Sequence, residues 1–158
     1  MGSGKTAVAQ SLAAKLTIPM IDLDNFITED TGRTPAEIII QDGEPAFRSI
    51  ETAALSRVLQ ANRARVIALG GGTWIEEANR KLIDSSHCLT IWLDTPFDEC
   101  WRRIQQSGEN RPLGKTERQA REVFERRRPI YRLATIQVKV ETDDTVADVV
   151  AHIKRAIQ

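Results

Sequence analysis

A chain of 158 residues with 41% apolar and 28% charged side chains has the size and composition of one globular domain, long enough to bury roughly 70% of the surface its unfolded form exposes. Lys+Arg and Asp+Glu balance at 22 each, which leaves no global basic field to hold nucleic acid, and no apolar run approaches the roughly 18 residues of a membrane span. Cys88 and Cys100, like His87 and His152, are isolated and lack metal-ligand spacing, so the expectation is a cytosolic protein with reduced thiols and no disulfide scaffold.

The chain opens Met1-Gly2-Ser3-Gly4-Lys5-Thr6 and continues with Val8, Leu12 and Leu16 at helical spacing. This is the second half of the phosphate-loop pattern GxxxxGK[ST]. Glycines let backbone N–H groups curl toward phosphate oxygens at the amino end of the following helix. Lys5 then reaches the terminal phosphates and the Thr6 hydroxyl ligates Mg²⁺. The alternative is a flexible start with a helix cap. The first glycine of the pattern and the buried strand that feeds such a loop do not appear in the sequence. A sheet without its middle strand would leave ladder groups unpaired at roughly 1–3 kcal/mol each, so the expectation is that the true start lies upstream and that Met1 is internal to the loop.

Short apolar runs then alternate with helical patterns, which predicts an α/β fold with a parallel sheet covered by helices. The candidate strands are Pro19 to Leu23, Val66 to Leu69, Leu89 to Leu93 and Ile136 to Val140. Asp22 and Asp24 stand two apart at the carboxyl end of the first of these, where side chains of a strand share a face and where open α/β sheets place ligands. One carboxylate can support Mg²⁺ and the other can take a proton from a substrate hydroxyl; the alternative is that Asp24 caps the next helix.

Phe47, Ile50, Ala54 and Val58 give the following helix a buried stripe, with Arg48 at its edge. Val66 to Leu69 runs into Gly70-Gly71-Gly72, where bare backbone N–H groups can touch a ligand, unless the run is an ordinary loose turn. Gln105 to Glu117 is polar and interrupted by Gly108, Pro112 and Gly114, which predicts a mobile lid containing Arg111. Arg126-Arg127-Arg128-Pro129-Ile130-Tyr131 follows. Arginines beside glycine loops in a chain of zero net charge suit the two-point grip of carboxylate or phosphate, each having solvated surface as its alternative. Val146, Val149, Val150, Ile153 and Ile157 make a last packing helix behind capping candidates Asp143 and Asp144.

Taken in order, MGSGKT, DLD, DGEPAFRSIE, LGGG, the RPL of the presumed lid and RRRPIY resemble shikimate kinase, and the resemblance covers essentially the whole chain. It implies a three-layer P-loop kinase fold whose central parallel sheet has five strands, the first of them missing here, flanked by helices. It implies one kinase domain over 1–158, with the phosphate loop and first helix at 1–16, substrate-binding helices at 24–62 and the lid at 105–117. The implied reaction moves the γ-phosphoryl group of ATP to the 3-hydroxyl of shikimate, with Mg²⁺, in the pathway to chorismate and aromatic amino acids.

Carried over by position, Gly2, Ser3, Gly4, Lys5 and Thr6 hold the phosphates, with Thr6 and Asp22 near the metal. Asp24 binds the substrate hydroxyls and acts as base, while Arg48 and Arg127 hold the substrate carboxylate with Gly70, Gly71 and Gly72 along the ring. Arg111 reaches the transferring phosphate from the lid, and Arg103 lies against adenine. A monomer is expected, with no nucleic-acid or membrane partner. Three rival readings accompany this one: a gluconate-type small-molecule kinase, an inactive shikimate-kinase-like binding protein, and a bare nucleotide-binding regulator.

Overall fold

The computed structural model describes residues 2–62, 64–107 and 116–157. In chain order the elements are α1 (Lys5–Leu16), β1 (Met20–Asp22), α2 (Leu23–Thr31), α3 (Pro35–Asp42), α4 (Glu44–Ala61), β2 (Val66–Ala68), a 3-10 turn (Thr73–Ile75), α5 (Glu77–Ser85), β3 (Ile91–Asp94), α6 (Phe97–Ser107), α7 (Glu117–Tyr131), β4 (Ile136–Lys139) and α8 (Val146–Ala156). They gather into two compact units, one of Leu12–Cys88 and the other of Met1–Ser11 with Leu89–Gln158.

The unit Leu12–Cys88 is built on β1 and β2, which run parallel with Met20 opposite Val66 and Asp22 opposite Ala68. The connection between them is helical, as a parallel pair requires. Two of its helices have a local reason to start. Thr34 and Glu37 close a capping box on α3, and proline stands in the first turn of both α3 and α4. Leu23, Ile27, Ile38, Phe47, Ala54, Leu55 and Val58 are buried. The predicted stripe on α4 therefore faces the core, with Leu55 added and Ile50 only half-buried.

The other unit is built on β3 and β4, again parallel, with Ile91 opposite Ile136 and Asp94 opposite Lys139. Leu93, Phe97, Cys100, Ala120, Val138, Val140, Val149, Val150 and Ile153 are buried, and Phe97 meets Phe124 edge-on with ring centroids 5.4 Å apart.

Three expectations change. The first strand ends at Asp22 and the chain turns helical at Leu23, so Asp22 and Asp24 do not share a strand face; Asp24 lies in the first turn of α2. The last helix is capped by Thr145, which accepts from Asp148 N, and neither Asp143 nor Asp144 is the cap; Asp144 instead accepts from Glu141 N at 2.8 Å within the preceding turn. Of the stretch predicted as a lid, 105–107 ends α6 and Glu117 begins α7, while residues 108–115, Arg111 among them, lie outside the described residues.

Candidate active site

In the unit Leu12–Cys88, Asp22 is the N-cap of α2. Its Oδ1 accepts from the backbone N–H of Asp24 at 3.1 Å and of Asn25 at 3.3 Å, which fixes the carboxylate at the strand-to-helix corner. Asp24 follows one residue inside the helix, and its neighbours are set by the glycine run. A β-carbon at Gly70 would lie 3.1 Å from Asp24 Oδ1, 3.2 Å from Thr73 Oγ1 and 3.3 Å from Glu51 Oε1. Three side-chain oxygens therefore close around an α-carbon that carries nothing.

Gly72 performs the same service for Arg48. A β-carbon there would overlap the guanidinium, striking Nη1, Nη2 and Cζ together. The guanidinium is held in place by Glu51, whose Oε2 accepts from Nη1 at 2.7 Å, and by Glu44, whose Oε1 accepts from Nη2 at 2.9 Å. Burial works against the charge on Arg48, but the hydrogen bonds to Glu51 and Glu44 outweigh it and raise the pKa. Glu51 is 1% exposed. Its second oxygen accepts from the Thr73 hydroxyl at 2.6 Å, so both of its oxygens are satisfied.

The turn after the glycines is gripped from α5. Asn79 Nδ2 donates to Thr73 O at 3.0 Å, and Arg80 Nη1 donates to Trp74 O at 2.7 Å and to Ile75 O at 2.6 Å. The glycine run is thus a packing surface for Asp24, Glu51 and Arg48, in addition to any use of its bare N–H groups.

In the other unit, the loop Gly2–Gly4 leads into the amino end of α1. Gly2 has φ +69° and Gly4 φ +84°, the left-handed region that glycine adopts without steric cost. A β-carbon on Gly2 would also overlap the carbonyl oxygen of Cys100, and one on Gly4 would come within 3.2 Å of Arg103 Nη1. Lys5 Nζ donates to Ser3 Oγ at 3.4 Å. Lys5 and Thr6 are the first two residues of α1, the end at which a helix dipole favours an anion.

Arg103 is presented to this loop by Glu99, which accepts from Arg103 Nε at 2.7 Å and from Arg102 Nε and Nη2 at 2.8 and 2.6 Å. The hydrogen bond from Arg102, followed by that from Arg103, holds the Glu99 carboxyl below the ordinary carboxylate range against the opposing effect of burial. Burial pushes the Cys100 thiol up, which suits packing and not reactivity. Arg127, on α7, lines a cleft of about 20 Å³ with Phe97, Cys100, Ile104, Phe124 and Tyr131. Its neighbour Arg128 pairs with Asp94 at 3.1 Å.

The structure thus brings Asp24, Arg48 and Gly70–Gly72 together in one unit and Gly2–Thr6 with Arg103 in the other. Sequence reasoning missed Glu51, Thr73, Asn79 and Glu99. Two of these had a signal: Glu51 falls on the apolar stripe of α4 three residues after Arg48, and Glu99 stands three and four residues before Arg102 and Arg103. Thr73 and Asn79 had none, since their role depends on which helix packs against the turn.

The family model described as shikimate kinase matches residues 1–158. The shikimate kinase of Cereibacter sphaeroides is 35% identical over 99% of this chain and 78% of its own length. That of Synechococcus elongatus is 39% identical over 91% and 75%. Among solved structures, the shikimate kinase of Acinetobacter baumannii in complex with shikimate has a TM-score of 0.87 at 31% identity, over 99% of this chain and 88% of that one. The enzyme of Bacteroides thetaiotaomicron has a TM-score of 0.86 at 28% identity, over 99% and 93%. The gluconate-type alternative finds no support in these likenesses. A family model that matches the whole chain, with relatives 35% and 39% identical over most of it, makes the chain a member of the shikimate kinase family, an ATP-dependent phosphotransferase acting on shikimate.

Proposed function

We propose that Asp24, Arg48 and Gly70–Gly72 bind shikimate, with Asp24 taking the proton of the hydroxyl that attacks ATP, the 3-hydroxyl by resemblance to the family. The observation that carries this reading is Arg48 laid against Gly72 and pinned by the buried Glu51, beside Asp24 at Gly70. A guanidinium held in one orientation suits two-point recognition of a carboxylate. A carboxylate at the start of α2 suits proton removal from a neighbouring hydroxyl. By resemblance to the family, Arg127 is also assigned to the substrate carboxylate.

On the nucleotide side, Gly2, Ser3, Gly4, Lys5 and Thr6 cradle the ATP phosphates and Arg103 lies against adenine; Arg111, outside the described residues, is assigned to the transferring phosphoryl group by resemblance to the family alone. Thr6 and Asp22 offer hard oxygen donors, a hydroxyl and a carboxylate, of the kind Mg²⁺ takes alongside nucleotide phosphates and water. Among the described residues no cluster of three His, Cys, Asp or Glu side chains is placed to hold a metal ion. Bound there, Mg²⁺ would neutralise charge developing on the phosphates.

The family model spanning 1–158 supports treating the chain as one kinase domain, with 1–16 as phosphate loop and first helix, 24–62 as substrate helices and 105–117 as lid. None of the described helices is long and apolar enough to cross a membrane. As part of the same proposal, the enzyme works as a monomer in the cytoplasm.

The test is ADP release from MgATP with shikimate, with gluconate as control, in the parent and in Asp24→Asn. Release should depend on shikimate alone, and Asp24→Asn should lower turnover by roughly a hundredfold or more while leaving ATP affinity nearly unchanged. Equal damage to turnover and to ATP binding would remove Asp24 as the base.

A further inference from the structure

Thr73 is buried, and five hydrogen bonds fix the turn that carries it. Its own N–H donates to Gly70 O at 3.3 Å and Ile75 N–H donates to Gly72 O at 2.9 Å. Asn79 and Arg80 hold the carbonyls of Thr73, Trp74 and Ile75 from α5. With the backbone set in this way, the Thr73 hydroxyl donates to Glu51 Oε1 at 2.6 Å, the short distance of a charge-assisted O–H···O⁻ bond. Glu51 Oε2 is the oxygen that takes Arg48 Nη1. The two oxygens of one buried carboxylate are therefore divided between a hydroxyl and a guanidinium.

We infer that Thr73 is a positioning residue for substrate recognition, acting through Glu51 to keep Arg48 in a one-oxygen contact. The inference rests on the reading of Arg48 as the residue that grips the shikimate carboxylate. A guanidinium carries five N–H donors in a fixed fork, and a carboxylate with both oxygens available takes two of them side by side. Thr73 occupies Oε1 and so prevents that arrangement with Glu51. The fork stays flat against Gly72 with N–H groups left for the ligand. Without the hydroxyl, Oε1 becomes a buried charged acceptor with no donor, and the nearest group able to satisfy it is Arg48 itself. The guanidinium would then turn onto Glu51 and away from the substrate.

The experiment measures shikimate affinity and ATP affinity by calorimetry for the parent, Thr73→Val, Thr73→Ser, Thr73→Cys and Arg48→Ala. Valine keeps the shape of threonine and removes the donor; it should weaken shikimate binding roughly tenfold with ATP affinity unchanged. Serine keeps the donor and loses a methyl group, and should bind like the parent. If the valine variant does not fold, cysteine carries the comparison with its weaker donor, and its shikimate affinity should fall below that of serine.

Parent-like affinity in Thr73→Val, equal losses in Thr73→Val and Thr73→Ser, or equal affinities in Thr73→Cys and Thr73→Ser would each overturn the inference. Arg48→Ala separates the two readings. If it binds shikimate as well as the parent does, the assignment of Arg48 is what has failed. If it loses binding while Thr73→Val does not, only the role of Thr73 has failed.

Discussion

Replacing Gly72 with alanine isolates a single steric contact. Gly72 has φ −96° and ψ −25°, a right-handed conformation open to any residue, so the substitution brings no backbone strain of its own. The whole effect arises because the new β-carbon overlaps the Arg48 guanidinium. The guanidinium cannot simply slide away, since Glu51 and Glu44 hold it at 2.7 and 2.9 Å.

Two responses are open to the molecule. Arg48 can leave, which takes one hydrogen bond from the 1%-exposed Glu51 and costs about 1.5–3 kcal/mol for a bond to a charged group. Alternatively the turn can move, which disturbs the bond from Ile75 N–H to Gly72 O and the grip of α5 on Thr73. Glu44 is half-exposed, so its share is small. We expect Gly72→Ala to lose about 2 kcal/mol of stability by urea unfolding. We expect shikimate affinity to fall by roughly thirtyfold in calorimetry, the equivalent of about 2 kcal/mol. In an Arg48→Ala background the same change should have almost no effect, because the atoms it strikes are gone. Parent-like affinity and stability in Gly72→Ala, or full additivity with Arg48→Ala, would refute this account of the glycine run.

Gly2→Ala should abolish measurable ATP binding, since the residue has φ +69° and its β-carbon would overlap the Cys100 carbonyl oxygen; nucleotide titration at unchanged shikimate affinity checks it. Glu99→Gln should be less stable than the parent at neutral pH. The Glu99 carboxyl titrates below its ordinary 4.5 in the folded state, so its contribution is present above that value and lost as pH falls through the folded value. The difference in urea midpoint between the two proteins should therefore shrink below about pH 4.5, and a gap that is constant across pH would count against the Glu99 charge as its source.

Much of the site could be read from local order in the sequence. Gly2 to Thr6 announce the phosphate loop because the conformations involved are themselves local: two glycines at positive φ followed by a helix start. The described strands follow from short apolar runs, and the stripe of α4 from hydropathy of period 3.6, in the same way. Arg48 was visible as a cation at the edge of that stripe, and Gly70–Gly72 as a place where side chains were missing. The boundary between strand and helix at Asp22 was not visible, because an aspartate can end a strand, cap a helix or begin one, and only the backbone conformation chooses.

What the tertiary structure alone decided is which groups fill the space that the glycines leave. Glu51 reads as a charged residue to be placed in solvent, yet it is buried, because α4 sets it where Arg48 and the Thr73 hydroxyl can satisfy both of its oxygens. Thr73 lies 22 residues further along the chain from Glu51, and no pattern of short period connects them. A hydrogen bond of that reach exists only once β2 has paired with β1 and the following turn has packed against α4 and α5, which is why local pattern could single out Arg48 and the glycine run but not the buried groups that pack around them.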